Sequence, residues 1–338
     1  MIFRRPHSWL HCFLCFASLA CVAPLAAATN YDAVVAADGS GTQTNLQSAI
    51  EAAPENGSRP FVIFIKRGTY QGQIIVPKEK KKLRLVGEDT EKTIITYALN
   101  QNEPAEGVPD KLKGNAMVIL GDDFRADHIT FQNTSGDHGQ AQALHTLGDR
   151  ELFNDCRILG WQDTLRTDGG RDYFTNCYLE GRVDFIYGSA TAVFDHCEIR
   201  SKNGGHVTAA NTPHDQPYGL VFLHCKLTGN PKPWISPEGK PANSNQPPQA
   251  DLGRPWRPYA SVAYLQCEMG AHIKPEGWNN WRNPDNEKTV RYAEYQSSGS
   301  GANPEKRFKW AKQLTDEEAK AYTVENILKG SDGWKPME

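Results

Sequence analysis

The sequence predicts an all-β solenoid, in which short strands stack coil upon coil. The main support is an internal repeat, in which an aromatic residue precedes a cysteine by three positions. The clear copies are Phe153/Cys156, Phe174/Cys177, Phe194/Cys197, Phe222/Cys225 and Tyr264/Cys267. Successive copies begin 21 and 20 residues apart at first. A period of about 20–22 residues made of short β-rich segments is typical of stacked coils.

The repeat becomes irregular towards both ends. We expect an earlier copy at Phe131, with Thr134 in the cysteine position. The last two steps lengthen to 28 and 42 residues. Two explanations stay open for these steps: insertions on one face of the solenoid, or a copy that the pattern misses. We interpret Thr228–Leu252, which is rich in proline, glycine and asparagine, as a long loop of the kind that often lines a binding site.

Short runs of β-branched residues upstream of the repeat support the same fold. Turn-forming residues separate them, as expected between strands. The predicted strands are Phe61–Ile65, Gln73–Val76, Leu83–Gly87 and Thr93–Thr96.

A helix is predicted at each end of the solenoid. The stretch Thr44–Ala53 begins with a capping box that pairs its first residue with Gln47. The stretch Thr315–Leu328 begins in the same way, with Glu318 as the partner. Because an open solenoid end exposes unpaired backbone groups, we expect these short helices to cap the N- and C-terminal ends.

Composition indicates a globular protein. The chain has 338 residues, of which 39% are hydrophobic and 23% charged, and its net charge is −3. This balance argues against a general nucleic-acid binder, which normally carries a basic face. We therefore expect one domain over residues 29–338, monomeric, without a nucleic-acid partner and without a membrane association.

The N-terminal segment, residues 1–28, is predicted to be a signal peptide. Arg4–Arg5 gives a positive start, Trp9–Ala27 is largely apolar, and Ala26–Ala28 offers small residues for cleavage. The mature chain then begins near Thr29 and is secreted to the periplasm or the medium. A membrane anchor and a lipoprotein site at Cys21 are the alternatives.

Cysteine usage leaves one question open. Five cysteines remain after the predicted cleavage, and an odd number requires at least one free thiol or an intermolecular bond. Cys177 and Cys197 lie one coil apart, so they form either a disulfide between adjacent coils or two stacked free thiols in the core. No spacing of a zinc site occurs in the mature chain.

Two aspartates occupy the same place in successive copies of the repeat. Asp163 and Asp184 each follow their cysteine by seven residues and are 21 residues apart. Neighbouring strands are about 4.7–4.9 Å apart, so the two carboxyl groups are expected to stack. Two acids at that distance in a cleft cannot both ionise cheaply, and one tends to keep its proton. An acid beside a nucleophile or base indicates an enzyme, although isolated aspartates are usually turn or surface residues.

Other polar residues accompany the aspartates. Gln140 and Gln162 are also expected to stack, either as donors to a developing oxyanion or as a structural amide ladder. Arg254 precedes Pro255 and Trp256. The guanidinium is suited to hold a carboxylate ionised and the indole to support a sugar ring, while a surface charge and a packing residue are the simpler interpretations.

These segments resemble the pectin methylesterases, also called pectinesterases, of carbohydrate esterase family 8. The similarity spans most of the mature chain, and the segments follow the order of the family. The matching segments are Gly68–Tyr70, Gln140–Leu144, Trp161–Leu165, Gly181–Gly188 and Leu252–Trp256. The combination of QDTL, VDFI followed by an aromatic residue and glycine, and LGRPW is highly specific.

The resemblance implies a right-handed parallel β-helix and a set of catalytic roles. Asp184 is implied as the nucleophile that attacks the C6 methyl ester of galacturonate. Asp163 is implied as the general acid for methanol and then the base for water. Gln140 and Gln162 would stabilise the oxyanion, and Arg254 would hold Asp184 ionised.

Substrate contacts are implied in the same way. Trp256 and Tyr187 would contact the sugars, Val183 would line the cleft, and Thr69 of the GTY segment would also bind substrate. The substrate would be methyl-esterified homogalacturonan, the polymer of pectin. The resemblance implies neither a metal nor an organic cofactor.

The sequence departs from the family pattern at several positions near these motifs. Gln142 replaces the usual valine, Arg166 a tyrosine, Tyr187 a phenylalanine, and Gly72 a frequent glutamate. No catalytic group is lost, but the accepted methylation pattern is open to change. Two other hypotheses remain: a polysaccharide-cleaving hydrolase or lyase on the same scaffold, and a non-catalytic pectin-binding solenoid.

Overall fold

The computed structural model describes residues 1–2, 31–103, 109, 112–232 and 247–337. Within it, Tyr31–Glu338 forms one compact unit. The predicted signal peptide lies almost wholly outside the described residues. None of the helices in the described part has the length and apolar character needed to cross a bilayer.

The described chain contains 24 strands, three short α-helices and two 3-10 helices, the latter at Pro284–Lys288 and Pro304–Lys306. The helices are α1 (Leu46–Ala52), α2 (Asp316–Ala319) and α3 (Val324–Leu328). The strands of the N-terminal half are β1 (Ala33–Val35), β2 (Phe61–Ile65), β3 (Gly68–Gln71), β4 (Ile74–Val76), β5 (Leu83–Gly87), β6 (Thr93–Tyr97), β7 (Asn115–Ile119), β8 (Arg125–Asp127), β9 (Thr130–Asn133), β10 (Gln142–Thr146), β11 (Glu151–Asn154) and β12 (Arg157–Leu159). Those of the C-terminal half are β13 (Leu165–Thr167), β14 (Arg171–Thr175), β15 (Tyr178–Gly188), β16 (Thr191–Asp195), β17 (Glu198–Ala210), β18 (Leu220–Leu223), β19 (Lys226–Gly229), β20 (Ala250–Pro255), β21 (Ser261–Leu265), β22 (Glu268–Met269), β23 (Arg291–Tyr295) and β24 (Lys312–Gln313).

The strands form three parallel faces of one coiled stack. Sheet A has the order β1-β2-β5-β8-β11-β14-β16-β18-β21-β23-β24. Sheet B contains β3, β6, β9, β12, β19 and β22, and sheet C contains β4, β7, β10, β13 and β20. The long strands β15 and β17 turn the corner and belong to both B and C. The chain therefore visits A, B and C in turn, and each circuit adds one coil.

A column of aromatic rings fills the interior beneath sheet A. Phe153, Phe174, Phe194, Phe222 and Tyr264 are fully buried and stacked, with successive ring centroids 4.7, 4.8, 4.6 and 4.4 Å apart. Such pairs contribute about 0.5–1.5 kcal/mol beyond the burial of apolar area. This column is the physical basis of the repeat seen in the sequence.

Both long steps of the repeat are insertions, and no copy was missed. Phe194 pairs with Phe222 in the sheet register, and Phe222 pairs with Tyr264. The predicted earlier copy at Phe131 is wrong, because Phe153 pairs with Ala126 instead. Phe131 is buried in the same core but belongs to sheet B, so its aromatic character imitated the pattern.

The cysteine column consists of free thiols. Cys177 and Cys197 are both buried and unbonded, so the structure does not contain the disulfide considered from the sequence. The Sγ of Cys177 lies 3.4 Å from the carbonyl oxygen of Phe153, and that of Cys197 lies 3.5 Å from the carbonyl oxygen of Phe174. Each thiol also lies within 3.5 Å of the carbonyl oxygen two residues before it, so it contacts backbone oxygens of its own coil and of the preceding one.

Helix α1 covers the N-terminal end, as predicted, but its cap differs. Asn45, not Thr44, is the N-cap and accepts from the backbone N–H of Ser48. The side chain of Gln47 instead exchanges two hydrogen bonds with the backbone of Ile75, at 2.9 and 3.0 Å. Gln47 thus pairs with the free backbone groups of an edge strand of sheet C, and its side chain is not available for a capping box.

The C-terminal helices lie along the solenoid and not over its end. The capping box of Thr315 and Glu318 is confirmed, but the predicted single helix is divided into α2 and α3. Ile327 and Leu328 are buried against apolar residues on the outer side of sheet A. Asp332 reinforces this position through an ion pair of 2.6 Å with Arg171.

Candidate active site

A cleft of about 310 Å³ lies over sheet C in the middle of the stack. Strands β13, β15, β17 and β20 supply its floor, and a loop beyond the last long coil supplies one wall. The lining residues are Gln101, Gln140, Gln162, Asp163, Arg166, Asp184, Tyr187, Ala209, Arg254, Trp256 and Trp281. The cleft thus combines two acids with two guanidinium groups and aromatic rings.

The two aspartates occupy equivalent positions on adjacent coils. Leu165 pairs with Ile186, which places Asp163 and Asp184 in the same register. Both have left-handed backbones, with φ of 64° and 52°, and both are almost fully buried, at 4% and 6% exposure. A non-glycine residue in this conformation is uncommon and is often found at functional sites.

The surroundings of Asp163 favour the neutral, protonated form of its carboxyl group. Burial, and then the charge of Asp184, raise the pKa of Asp163 to about 7. The guanidinium groups of Arg166 and Arg254 and a hydrogen bond from Gln140 oppose this rise without cancelling it. Asp163 therefore holds a proton at mildly acidic pH, as a general acid must.

Asp184 has a different environment, because two guanidinium nitrogens of Arg254 bind its carboxylate. The Nε and Nη2 atoms of Arg254 donate to the two carboxylate oxygens at 2.8 and 2.7 Å. Arg254 also lies over the ring of Trp281, 3.7 Å from its centroid. Such a two-point ion pair stabilises the charged carboxylate and fixes its orientation.

A small residue between the coils makes this ion pair possible. Tyr187, Ala209 and Arg254 occupy one column across β15, β17 and β20. Because Ala209 has no side chain beyond Cβ, the guanidinium of Arg254 passes over the intervening coil and reaches Asp184.

The two glutamines are adjacent, as their spacing predicts. Gln140 and Gln162 form an isolated parallel bridge at the rim of the cleft. Asp137 precedes Gln140 in the same loop and forms an ion pair of 2.7 Å with Arg182. That ion pair ties the loop of Gln140 to the strand that carries Asp184.

Comparison with known proteins agrees with this geometry. The pectinesterase family profile matches residues 32–331. Pectinesterase 31 of Arabidopsis thaliana is 35% identical over 293 residues, which are 84% of this chain and 88% of that protein. This chain belongs to the pectinesterase family. It is therefore a carboxylic ester hydrolase.

Solved structures of pectin methylesterases have the same fold. The enzyme from carrot superposes with a TM-score of 0.81 at 32% identity, covering 90% of this chain and 95% of that one. A pectin methylesterase in complex with a hexasaccharide gives a TM-score of 0.75 at 30% identity, covering 91% and 99%. The right-handed parallel β-helix predicted from the sequence is confirmed.

Three departures from the pectinesterase pattern meet at one place in the cleft. The amide nitrogen of Gln142 donates to the hydroxyl of Tyr187 at 2.8 Å, and both side chains are buried. The guanidinium of Arg166 lies 5.7 Å from the ring of Tyr187 and 5.9 Å from that of Trp256. The hydroxyl that distinguishes Tyr187 from phenylalanine thus has a partner that valine in place of Gln142 cannot supply.

Two of the predicted substrate contacts lie elsewhere. Val183 is not among the residues that line this cleft, and its carbonyl accepts a hydrogen bond from the backbone N–H of Asp163 at 3.0 Å. Thr69 is exposed on β3 in sheet B, three coils from β12. β12 belongs to the coil of Asp163, so at about 4.8 Å a coil Thr69 lies about 14 Å from that residue along the axis, and it is not among the residues that line the cleft.

Three lining residues were not predicted from the sequence. Ala209 was open to prediction, because it follows Tyr187 by one period of 22 residues. Gln101 and Trp281 carry no such signal, since both belong to irregular segments outside the repeat. Trp281 lies among asparagines beyond the last complete coil, and only folding brings it to Arg254.

Proposed function

We propose that this pectinesterase hydrolyses the C6 methyl esters of polygalacturonate and releases methanol, with Asp184 as nucleophile and Asp163 as general acid and base. The observation that carries the proposal is the contrast within the pair. Both oxygens of one carboxylate are paired with the guanidinium of Arg254, while the pKa of its neighbour is raised to about 7. Nucleophile and acid are then both present at the same pH.

The first step forms a covalent intermediate. A carboxylate oxygen of Asp184 attacks the ester carbonyl carbon, and the carbonyl oxygen becomes negative in the tetrahedral intermediate. The bond to the methoxy oxygen then breaks, and that oxygen takes the proton of Asp163 and leaves as methanol. Galacturonate remains attached to Asp184 as a mixed anhydride, and Asp163 is now ionised.

The second step restores the enzyme. Ionised Asp163 accepts a proton from water as the water oxygen attacks the anhydride carbonyl of the sugar. Collapse of the second tetrahedral intermediate expels the carboxylate of Asp184 and frees the galacturonic acid. Asp163 regains the proton that it gave to methanol, so the cycle is balanced.

The remaining cleft residues stabilise the charge that develops on the substrate and hold its sugar rings in place. Gln140 and Gln162 carry amide donors at the rim and are assigned to the oxyanion, an interaction of about 2.7–4 kcal/mol for an amide donor in a serine protease. Trp256 and Tyr187 form an aromatic corner, with ring centroids 5.7 Å apart, suited to the apolar faces of sugar rings. The hexasaccharide bound by one structural relative supports a pectin chain as the occupant.

We also propose that the enzyme acts outside the cytoplasm as a monomer. Residues 1–28 would direct export and be cleaved near Ala28. The mature enzyme would then meet its polymeric substrate directly. Peptide mapping of the exported protein tests the cleavage site.

The test is product analysis on highly methyl-esterified pectin. We expect methanol without new reducing ends and without unsaturated products, which distinguishes an esterase from a glycoside hydrolase or a lyase. Asp184→Asn keeps the size of the side chain and is expected to lower methanol release by at least about 10³-fold. Full release by a folded Asp184→Asn protein, or chain cleavage by the wild type, contradicts the proposal.

A further inference from the structure

A cluster of metal-binding side chains lies at another corner of the solenoid, where sheet A turns into sheet B. It comprises Asp195 at the end of β16, His196 in the turn, and His224 in the turn of the next coil. Among the described residues it is the only group of three or more such side chains whose ligand atoms approach within 4.8 Å of one another. None of the three lines the catalytic cleft.

The ligand atoms converge on one point. The Nδ1 atoms of His196 and His224 lie 2.8 and 3.0 Å from the same oxygen, Oδ1 of Asp195. Tetrahedral zinc with ligands at about 2.0–2.1 Å separates those ligands by about 3.3 Å, and the three ligand atoms here all lie within 4.8 Å of one another. Both histidine side chains are about half exposed, at 60% and 46%, which leaves a water position open to solvent.

Neighbouring groups already hold the ligands in place. The hydroxyl of Tyr173 donates to the other oxygen of Asp195 at 3.1 Å. The Nε2 of His224 lies 3.0 Å from Oε1 of Gln266. When a metal ion takes the place of a proton on Nδ1, Nε2 keeps its own proton and donates it to this carbonyl oxygen.

The backbone makes the arrangement rigid. His196, His224 and Gln266 occupy equivalent turn positions on three successive coils and share the left-handed conformation, with φ of 54°, 53° and 52°. A ligand set spread over adjacent coils of a stiff stack loses little entropy on binding. Partners on the far side of metal-binding histidines are typical of metal sites in proteins.

We propose that Asp195, His196 and His224 form a binding site for a borderline divalent cation, with Zn²⁺ as the representative ion. Two imidazoles and one carboxylate favour Zn²⁺, Cu²⁺ or Ni²⁺ over Ca²⁺ and Mg²⁺, which prefer oxygen ligands. The ion joins the turns of β16 and β18 and stabilises the stack from outside. Ester hydrolysis does not depend on it.

The test measures Zn²⁺ affinity by competition with a chromophoric chelator, in the full chain and in single variants. We expect one Zn²⁺ whose affinity falls at least tenfold in His196→Ala and in His224→Ala, and about tenfold in Gln266→Ala, which removes only the supporting carbonyl. Zn²⁺ bound elsewhere on the chain is common to all variants and cancels in the comparison. Zn²⁺ is also expected to raise the Tm of the wild type more than that of His224→Ala.

His128→Ala is the matched control. His128 is a half-exposed histidine with a left-handed backbone, and its Nδ1 lies 2.7 Å from Asp155, but among the described residues it belongs to no group of three metal-binding side chains. This variant should bind Zn²⁺ as the wild type does, and Ca²⁺ should not compete. Equal Zn²⁺ affinity in the wild type and in a His196→Ala/His224→Ala double variant, or no Zn²⁺ binding at all, overturns the proposal.

Discussion

Two pairs of carboxyl groups in this protein share one spacing and have opposite environments. Asp163 and Asp184 are 21 residues apart on sheet C, and Glu151 and Asp172 are 21 residues apart on sheet A. In both pairs the two residues lie one above the other on adjacent coils. The first pair faces a cleft, whereas the second is completely buried.

The partners of the two pairs differ in charge. Asp184 is bound at both carboxylate oxygens by the guanidinium of Arg254, so one member of the cleft pair has a cationic partner. Glu151 accepts from the backbone N–H of Gly148, and Asp172 accepts from the hydroxyl of Thr146, both at 2.7 Å. These donors are neutral, and burial raises the pKa of both Glu151 and Asp172 well above the usual range.

The comparison shows that stacked acids at the repeat spacing do not by themselves indicate catalysis. The buried pair satisfies the same sequence criterion, but its environment keeps protons on the carboxyl groups and no cleft opens beside it. A reactive pair requires in addition a cation for one member and access for a substrate. In this chain Arg254 supplies the cation, 70 residues after Asp184.

The largest expected effect separates the two pairs by activity. Asp163→Asn should lower kcat for methanol release by about 10²–10⁴-fold, because it removes the proton donor. The wild-type kcat/KM should fall as pH rises through about 7, where Asp163 loses its proton. Glu151→Gln, assayed on the same pectin, should leave kcat within about twofold. A similar loss in both variants would erase the functional distinction between the pairs.

An intermediate effect is expected when the cleft pair is deprived of its cation. Arg254→Gln should lower kcat by about 10- to 150-fold, since hydrogen bonds to charged groups contribute about 1.5–3 kcal/mol. Arg254→Lys should recover part of this loss, because it restores the charge without the two-point geometry. Steady-state methanol release gives both values, and wild-type kcat in Arg254→Gln would mean that Asp184 needs no cation.

The smallest expected effect is on the free energy of unfolding, and it arises from the buried pair Glu151 and Asp172. Because the pKa values of Glu151 and Asp172 are raised in the folded state, that state binds more protons than the unfolded chain above about pH 4. This contribution to stability is full at low pH and is lost as pH rises through the folded pKa values. Urea unfolding between pH 4 and 8 should therefore show a shallower pH dependence in Glu151→Gln than in the wild type.

An exposed acid provides the control for that measurement. Asp285 pairs only with Lys288 at the surface, and Asp285→Asn should leave the slope of stability against pH unchanged. If Glu151→Gln and the wild type have equal slopes, the buried pair does not hold extra protons.

The local sequence pattern was sufficient to predict much of the fold. Strands β2 and β5 have the bounds predicted from their apolar runs, because short β-branched segments between turn residues have few alternatives. The stacked rings of Phe153, Phe174 and Phe194 follow from spacing alone. The pattern failed at Phe131, where an aromatic residue of another sheet imitated the repeat. It also failed for the C-terminal helices, whose packing partner on sheet A is distant in sequence.

The sequence by itself determined the solenoid, its period and the stacking of Asp163 on Asp184, because a constant coil length places equivalent residues one above another. Only the tertiary structure decided which acid pair becomes a site. Insertions of unequal length separate β15 from β20, so no period predicts that Arg254 reaches past Ala209 to Asp184. Trp281 likewise belongs to a segment outside the repeat, and only the folded chain brings it over Arg254.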